Sequence, residues 1–267
     1  MNHIHEHLKL VPVDKIDLHE TFEPLRLEKT KSSIEADDFI RHPILVTAMQ
    51  HGRYMVIDGV HRYTSLKALG CKKVPVQEIH ETQYSISTWQ HKVPFGVWWE
   101  TLQQEHRLPW TTETRQEAPF ITMCHGDTEQ YLYTKDLGEA HFQVWEKVVA
   151  SYSGCCSVER IAQGTYPCLS QQDVLMKYQP LSYKEIEAVV HKGETVPAGV
   201  TRFNISGRCL NLQVPLALLK QDDDVEQLRN WKQFLADKFA NMRWLYLKKY
   251  TWWSNSFTVI FEGNMMI

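Results

Sequence analysis

Residues 54–69, YMVIDGVHRYTSLKAL, constrain the fold more than any other part of the sequence. An apolar run leads into Asp58 and Gly59, and the helical pattern that follows ends at Gly70. A strand that turns at a glycine directly into a helix points several backbone N–H groups at one place, where the helix dipole adds partial positive charge. The segment therefore predicts a binding place for an anion.

The side chains of this segment suit such a site. Gly59 permits a positive φ or a close backbone approach. Arg62 and His61 can donate hydrogen bonds to phosphate oxygens, and the hydroxyl of Thr64 lies in the first helical turn. Asp58 is placed to hold Mg²⁺ or to orient a hydroxyl, since two bare anions repel. Two simpler interpretations stay open, with Asp58 as a helix cap and Arg62 as a solvated surface charge.

Short alternating segments surround this motif and predict strands at residues 8–13, 43–48, 54–57 and 74–79. Helices are predicted at residues 28–38 and 62–69. Together they make a small α+β domain of residues 1–90. The aromatic, helix-compatible stretch at residues 84–110 contains the predicted domain junction, near residue 90, and a second domain covers residues 91–267.

The second domain combines further helices with strands. Helices are predicted at residues 138–151, 182–191 and 224–246. Ser182 and Glu185 form a capping box at the start of the second of these helices. Residues 252–261 alternate and predict a closing strand. The fold class is therefore α+β, with a second domain of mixed α/β type.

Composition excludes several classes of protein. The chain has 267 residues, of which 43% are hydrophobic, and this supports a substantial core in two lobes. A net charge of −3 leaves no global positive field for DNA or an anionic membrane. The sequence lacks an apolar leader and any stretch of about 18 to 20 apolar residues. Its six cysteines, without CxxC spacing, predict reduced thiols in a soluble cytoplasmic protein.

The DGVHR motif resembles the nucleotide-binding domain of the ParB/sulfiredoxin-like superfamily. The order of the flanking motifs is also similar, with LHETFEPLRL at residues 18–27, HPILV at 42–46, and LG and VPV between 69 and 76. The form DGxHR resembles the free L-serine kinases, a family that includes a kinase of staphyloferrin B siderophore synthesis. The resemblance covers about a third of the chain.

The resemblance implies catalytic roles for two acids. Glu20 corresponds to the catalytic base beside the substrate hydroxyl, and Asp58 corresponds to a second acid near the hydroxyl and the metal. Phosphoryl transfer needs positioning and charge neutralisation more than covalent help, so these acids with basic groups on the phosphates are sufficient. From the residues alone, a solvated loop glutamate is the favoured interpretation of Glu20, and the resemblance reverses that preference.

The resemblance also implies the nucleotide-binding residues. Gly59, Val60, His61 and Arg62 correspond to the phosphate loop, and Arg26 corresponds to a basic residue near the phosphates. Position 60 departs from the family pattern, because this sequence has valine where many of the kinases carry a second histidine. One phosphate contact must therefore come from a backbone N–H or be absent.

The segments VPAGVTRF at residues 196–203 and RCLNLQVPLAL at residues 208–218 resemble the part of these kinases that closes over the substrate. The resemblance places Arg202 on the carboxylate of the amino acid, with Thr201 as a hydrogen-bonding partner. Arg202 is equally consistent with a salt bridge between lobes.

The resemblance implies an N-terminal ParB/sulfiredoxin-like domain, a mixed α/β second domain and an active site in the cleft between them. It further implies a kinase that uses ATP and Mg²⁺ to phosphorylate the hydroxyl of free L-serine, giving O-phospho-L-serine for siderophore precursor synthesis. Whether the protein forms a homo-oligomer is left open.

A nucleotide-switched DNA-binding regulator of the ParB type is the alternative. Residues 1–90 carry eleven Lys and Arg against twelve Asp and Glu, and no clear helix-turn-helix follows them. Both observations weaken this alternative. A sulfiredoxin-like reductase would need a cysteine in the phosphate loop, where Val60 stands.

Overall fold

A computed structural model describes residues 4–105, 108–137, 141–240, 244–251 and 254–261. The chain forms two compact units, one made of Met1–Ser85 with Phe203–Ile267 and the other of Ile86–Arg202. The chain therefore returns to its first unit at Phe203, whereas the sequence predicts a single junction near residue 90. Hydrophobic patterning cannot show this return, because it reports local structure and not which core a segment joins.

The first unit is built on a five-stranded mixed sheet. Its strands are β1 (Leu8–Pro12), β2 (Ile16–Leu18), β4 (Ile44–Ala48), β5 (Tyr54–Asp58) and β6 (Lys73–Glu78). They lie in the order β1-β6-β4-β5-β2. The pairs β1–β6 and β4–β5 are antiparallel, whereas β4–β6 and β2–β5 are parallel. The strands predicted before residue 90 are confirmed.

Two helices pack against each other in this unit, α1 (Pro24–Asp37) and α2 (Val60–Ala68). Both begin a few residues before their predicted starts. Pro24 suits the first turn of a helix because its fixed φ is helical and it lacks an N–H, and Gly59 allows the sharp exit from β5. Leu66 is fully buried and joins α2 to the core of the sheet.

The C-terminal part of this unit adds two short sheets and two helices. Strand β3 (Phe39–Ile40) pairs with β14 (Val214–Pro215), and β13 (Arg208–Leu210) pairs with β16 (Ser254–Phe261), which also pairs with β15 (Trp244–Thr251). The helices are α7 (Leu216–Leu219) and α8 (Asp224–Ala240).

The prediction of one helix over residues 224–246 is confirmed as far as Ala240 and is wrong from Trp244, where a strand begins, while residues 241–243 lie outside the described part. The sequence WLYLKKYT in that strand is rich in aromatic residues that favour a pleated strand. The predicted closing strand is confirmed for Ser254–Phe261, while residues 252 and 253 lie outside the described part.

The second unit is built on a six-stranded sheet. Its strands are β7 (Tyr84–Pro94), β8 (Ile121–His125), β9 (Thr128–Leu132), β10 (Glu159–Ala162), β11 (Asp173–Tyr178) and β12 (Thr201–Ile205). The order is β10-β7-β11-β8-β9, and β12 also pairs with β7. The helices are α3 (Val97–Gln104), α4 (Thr134–Leu137), α5 (His141–Ser153) and α6 (Tyr183–His191).

The structure corrects one local prediction in the second unit and confirms two. The stretch expected to be helix-compatible from residue 84 is a strand as far as Pro94, and helix α3 follows it. The capping box of α6 is present, and the N–H of Glu185 donates to the Ser182 hydroxyl at 3.3 Å. Helix α5 is present as described from His141, and residues 138–140 of the predicted helix lie outside the described part. Within the described ranges, no helix is long and apolar enough to cross a membrane.

Candidate active site

The turn at Gly59 joins the end of β5 to the start of α2. Gly59 has φ +102°, in the left-handed region that favours glycine, and the first helical hydrogen bond runs from the N–H of Tyr63 to the Gly59 carbonyl at 2.9 Å. The three preceding amides, those of residues 60–62, have no acceptor within the helix by its geometry. The N-cap residue, Gly59, has no side chain that could cap this helix end. The turn therefore presents backbone donors at the positive end of the helix dipole.

Arg62 folds back over this turn. Its Nη1 donates to the carbonyls of His42, at 3.0 Å, and Pro43, and its Nη2 pairs with Asp58 Oδ2 at 3.0 Å. A Cβ on Gly59 would lie 2.8 Å from Arg62 Nη2, which is closer than real side chains pack. Arg62 thus ties the turn to the start of β4, and these internal partners occupy donors that the sequence analysis expected to face phosphate.

Asp58 pairs with a second arginine that the sequence analysis did not select. Arg208, at the start of β13, donates from Nη1 to the same Oδ2 at 2.9 Å. Both ion pairs use Oδ2 and leave Oδ1 outside them. Gly207 directly precedes Arg208 and lies in a tight turn with φ +71°. A glycine just before an arginine is the sequence feature that could have indicated Arg208. A contact across 150 positions cannot be found from local patterns.

The neighbourhood of Asp58 carries an excess of positive charge. Burial lowers the pKa of Arg62, and the charges of Arg208 and Arg26 lower it further, while Asp58 acts in the opposite direction. The pKa of the His42 imidazole is also lowered, first by burial and then by nearby arginines, chiefly Arg62. Burial is the main cause in both cases, and the lesser arginine terms show that several positive charges lie close enough to act on one another, an arrangement that an anion would stabilise.

Glu20 lies beside this turn because of the pairing of β2 with β5. The two strands are parallel, with Leu18 opposite Val56, so two further residues along each chain lead to Glu20 and Asp58 at the same edge of the sheet. His19 is buried and its Nδ1 donates to the Val56 carbonyl at 2.5 Å. This contact fixes the residue directly before Glu20.

A second contact fixes the loop after Glu20. The backbone N–H of Glu23 donates to His61 Nε2 at 3.1 Å. His61 therefore holds the loop with this nitrogen, and its place beside the phosphates stays a prediction. Glu20 lies between the two anchors along the chain and is partly buried.

Three other predicted nucleotide-binding residues occupy different environments. The Val60 side chain is in the core, 2% exposed, so only its backbone amide faces the turn. The Thr64 hydroxyl donates to the Val60 carbonyl at 2.9 Å, which uses its proton inside the helix. Arg26 is exposed on α1, and its charge reaches the Arg62 guanidinium.

The predicted substrate-binding residues lie in the second unit. Thr201 is 7% exposed, and its Oγ1 has no hydrogen-bond partner in the part of the chain that the structure describes. The Arg202 guanidinium lies 4.5 Å from the centre of the Trp89 ring, in a cation–π contact. Among the described residues, no group of three or more His, Cys, Asp or Glu side chains is placed to hold a metal ion.

Comparison with known proteins supports the resemblance read from the sequence. Residues 2–86 match the ParB N-terminal domain. An ATP-dependent L-serine kinase of Staphylothermus marinus is 34% identical over 138 residues, which cover 51% of this chain and 50% of that kinase. The corresponding kinase of Desulfurococcus mucosus is 31% identical over 83 residues, covering 30% of this chain and 32% of that kinase. The chain thus spans half or less of the length of the curated relatives it matches.

Solved structures extend the comparison over most of the chain. A free serine kinase with a Glu→Gln substitution, in complex with AMP, superimposes with a TM-score of 0.64 at 18% identity, covering 80% of this chain and 94% of the kinase. The chain shares the fold of a free serine kinase. A conserved hypothetical protein from Pyrococcus furiosus has the same fold, with a TM-score of 0.59 at 18% identity over 80% of this chain and 97% of that protein. The predicted mixed fold with a ParB-like N-terminal domain is confirmed.

Proposed function

We propose that this protein is a kinase that transfers the γ-phosphoryl group of ATP to the hydroxyl of free L-serine, giving O-phospho-L-serine. The observation that carries the proposal is the turn at Gly59, where the backbone donors of a helix start lie with Arg62 and Arg208 at the sheet edge to which Glu20 leads. The names of the matched relatives agree with it, since both are ATP-dependent L-serine kinases. A solved structure of the same fold is a free serine kinase in complex with ADP.

The turn would bind the nucleotide phosphates. The amides of residues 60–62 point away from the helix body and donate to phosphate oxygens, as helix N-termini do in other anion sites. Arg208 and Arg26 add positive charge. Arg62 keeps the turn in shape through its bonds to the carbonyls of His42 and Pro43, so its main effect is on the position of the donors.

Glu20 would orient the serine hydroxyl and accept its proton. In the transfer, the hydroxyl oxygen bonds to the γ-phosphorus, the bond from that phosphorus to the β–γ bridging oxygen breaks, and the hydroxyl proton moves to the Glu20 carboxylate. Placement of an acid beside a phosphate site is the arrangement this reaction requires, because positioning and charge supply most of the catalysis.

Asp58 fits a role in holding Mg²⁺. Its Oδ2 is used by two arginines, while Oδ1 lies outside both ion pairs. Mg²⁺ in kinase sites is held by one or two carboxylates together with phosphate oxygens and water, so a single carboxylate oxygen suffices. When bound, the ion neutralises charge that develops on the phosphates.

Thr201 and Arg202 would bind the carboxylate of the amino acid. A buried hydroxyl without a partner costs about 1–3 kcal/mol, so a ligand that bonds to Thr201 Oγ1 recovers that loss. The contact with the Trp89 ring restrains the Arg202 guanidinium, which can then donate to a carboxylate.

The sequence resemblance further suggests a cytoplasmic role in supplying O-phospho-L-serine for siderophore synthesis. The regulator alternative has less support, because the match to the ParB N-terminal domain ends at residue 86 whereas the fold match to free serine kinases covers 80% of the chain.

Incubation of the purified protein with Mg-ATP and free L-serine, followed by mass spectrometry, tests the proposal. We expect O-phospho-L-serine and ADP in equal amounts, with little product from D-serine. Parallel reactions with ADP as donor decide which nucleotide is used. Absence of phosphoserine with either donor at millimolar serine would refute the kinase activity, and tight, salt-sensitive binding to duplex DNA would support the regulator instead.

A further inference from the structure

A chain of buried hydrogen bonds crosses the second unit. His91, Tyr152 and Tyr178 are 2%, 0% and 4% exposed. His91 Nδ1 lies 2.7 Å from the Tyr152 hydroxyl, which contacts the Tyr178 hydroxyl, and His91 Nε2 lies 2.8 Å from the Gly199 carbonyl oxygen. The chain therefore links helix α5 and strands β7 and β11 to the backbone just before β12.

The partners fix the direction of every bond in this chain. A carbonyl can only accept, so His91 Nε2 carries a proton and donates to Gly199. In the neutral imidazole Nδ1 then accepts from the Tyr152 hydroxyl, and Tyr152 in turn accepts from Tyr178. Burial raises the pKa of both tyrosines well above the usual range, so their hydroxyls keep the protons that this arrangement needs.

The backbone at Gly199, whose carbonyl accepts the last hydrogen bond of this series, is held at several points. Gly199 has φ +73°, and a Cβ at this position would overlap the Arg160 guanidinium. The next carbonyl, that of Val200, accepts from the Trp89 N–H at 2.7 Å. Trp89 also carries the Arg202 guanidinium on its ring. Two residues of β7 thus set the position of residues 199–202.

The fixed backbone of residues 199–202 also determines the position of the Thr201 hydroxyl. Its hydroxyl is more than nine-tenths buried and has no hydrogen-bond partner in the described part of the chain, which points to a ligand. A strand fixed before and after this hydroxyl can hold it at a ligand without a loss of conformational entropy on binding.

We propose that His91 is a positioning residue for the amino-acid substrate, acting through the Gly199 carbonyl on Thr201 and Arg202. The inference rests on the proposed function, because it takes free L-serine as the ligand of these two residues. His91 itself does not touch the substrate.

Kinetics of matched variants test the inference. We expect His91→Leu to raise the KM for L-serine about tenfold or more and to change the KM for ATP less than twofold. His91→Gln keeps a donor for the Gly199 carbonyl and should recover most of the loss. Tyr152→Phe removes the donor to Nδ1 and should give an intermediate KM for L-serine.

Tyr133→Phe is the matched control for a lost buried hydroxyl. Tyr133 is 1% exposed in the same unit, and its hydroxyl accepts from the Arg115 N–H at 3.0 Å and donates to the Glu113 carbonyl at 3.2 Å. We expect its KM for L-serine to equal that of the wild type. Equal serine KM values for Tyr152→Phe and Tyr133→Phe, or parallel changes in both KM values for His91→Leu, would overturn the inference.

Hydrogen exchange separates this inference from the proposed function. Amides in residues 199–202 should exchange at least tenfold faster in His91→Leu than in Tyr133→Phe, and His91→Gln should recover most of the protection. Wild-type protein that forms no phosphoserine would refute the kinase activity, whereas unchanged exchange in the His91 variants would refute the positioning role. Should His91→Leu not fold, His91→Gln and Tyr152→Phe decide the question.

Discussion

The two units each contain a glycine turn covered by an arginine, and the two turns present opposite chemistry. Gly59 leads into a helix, so the groups that face outward are backbone N–H donors beside Arg62. Gly199 lies before a strand under Arg160, and its carbonyl is taken up by His91. In both turns an arginine occupies the space that a side chain would need.

The difference teaches why similar turns can serve different ligands. A helix start offers several converging donors and a dipole, which suits a polyphosphate of high charge. A strand start offers side chains that are fixed in place by the sheet, which suits a small carboxylate, the ligand that we propose for Thr201 and Arg202. The comparison predicts that damage to the first turn impairs nucleotide binding and damage to the second impairs serine binding.

Glu20→Gln should have the largest effect. It should impair phosphoryl transfer without impairing the binding of nucleotide or serine that we assign to the two turns. The substitution removes the proton acceptor but keeps the shape of the side chain, so turnover should fall about 1000-fold. Affinity for ADP and the KM for serine should change less than threefold. Glu28→Gln, on the exposed side of α1, is the control and should retain wild-type turnover. A Glu20→Gln enzyme with near wild-type turnover would remove this residue from the mechanism.

Gly59→Ala should weaken ADP binding about 100-fold in calorimetry, because a displaced turn misplaces the amide donors. Gly70→Ala is the matched control, since Gly70 ends the same helix with φ +82° and has no atom within 4 Å of an added Cβ. Both variants carry left-handed strain, but only Gly59→Ala disturbs Arg62. Equal affinities for ADP in the two variants would contradict a role of the turn in binding.

Gly199→Ala should raise the KM for serine about 30-fold and leave ADP affinity unchanged, because the new Cβ displaces Arg160 and with it the start of β12. Steady-state kinetics with each substrate varied in turn measure both quantities. If this variant lost affinity for ADP as well, the division of tasks between the two turns would be wrong.

Arg208→Met should weaken ADP binding about tenfold, since it removes one positive charge and a charge-assisted bond to Asp58. The loss should shrink at high salt, and Arg208→Lys should restore part of the affinity. Arg229→Met, on the exposed face of α8, is the control with the same change of charge. An equal loss of ADP affinity in Arg208→Met and Arg229→Met would indicate an effect of net charge and would contradict a specific role of Arg208 at the turn.

His42 should give the smallest effect, a dependence of stability on pH. Its pKa is lowered in the folded protein, chiefly by burial, so the folded state binds this proton more weakly than the unfolded chain does. Its contribution is therefore fully present above a pH of about 6.5 and decreases as pH falls below that value. His42 Nδ1 accepts from the Asn211 N–H at 2.8 Å, and the Asn side chain in His42→Asn offers an acceptor that does not titrate.

Denaturant unfolding at pH 7.5 and pH 5 checks this expectation. The free energy of unfolding should fall more on acidification in the wild type than in His42→Asn. A larger fall in the variant would reverse the sign that the lowered pKa requires.

Local sequence patterns predicted the strand, turn and helix around Gly59 because each of these elements depends on residues close together in the chain. The partner of Asp58, Arg208, escaped prediction because a contact over that sequence distance depends on the return of the chain at Phe203. His19 was missed as an anchor because its bond to the Val56 carbonyl depends on a parallel pairing that no short pattern encodes.

The end of α8 shows a different limit. Residues 224–246 contain both the polar helix and the first residues of an aromatic strand, and amphipathic spacing continued across the boundary. Propensity alone does not locate such a boundary, because tertiary pairing decides which of two compatible structures forms.

A crystal structure of the protein with ADP and Mg²⁺ tests the central claim most directly. The account predicts the β-phosphate within about 3.2 Å of the amide nitrogens of residues 60–62. It also predicts the Glu20 carboxylate facing the open side of that phosphate. A diphosphate bound elsewhere, with those amides unengaged, would contradict the account.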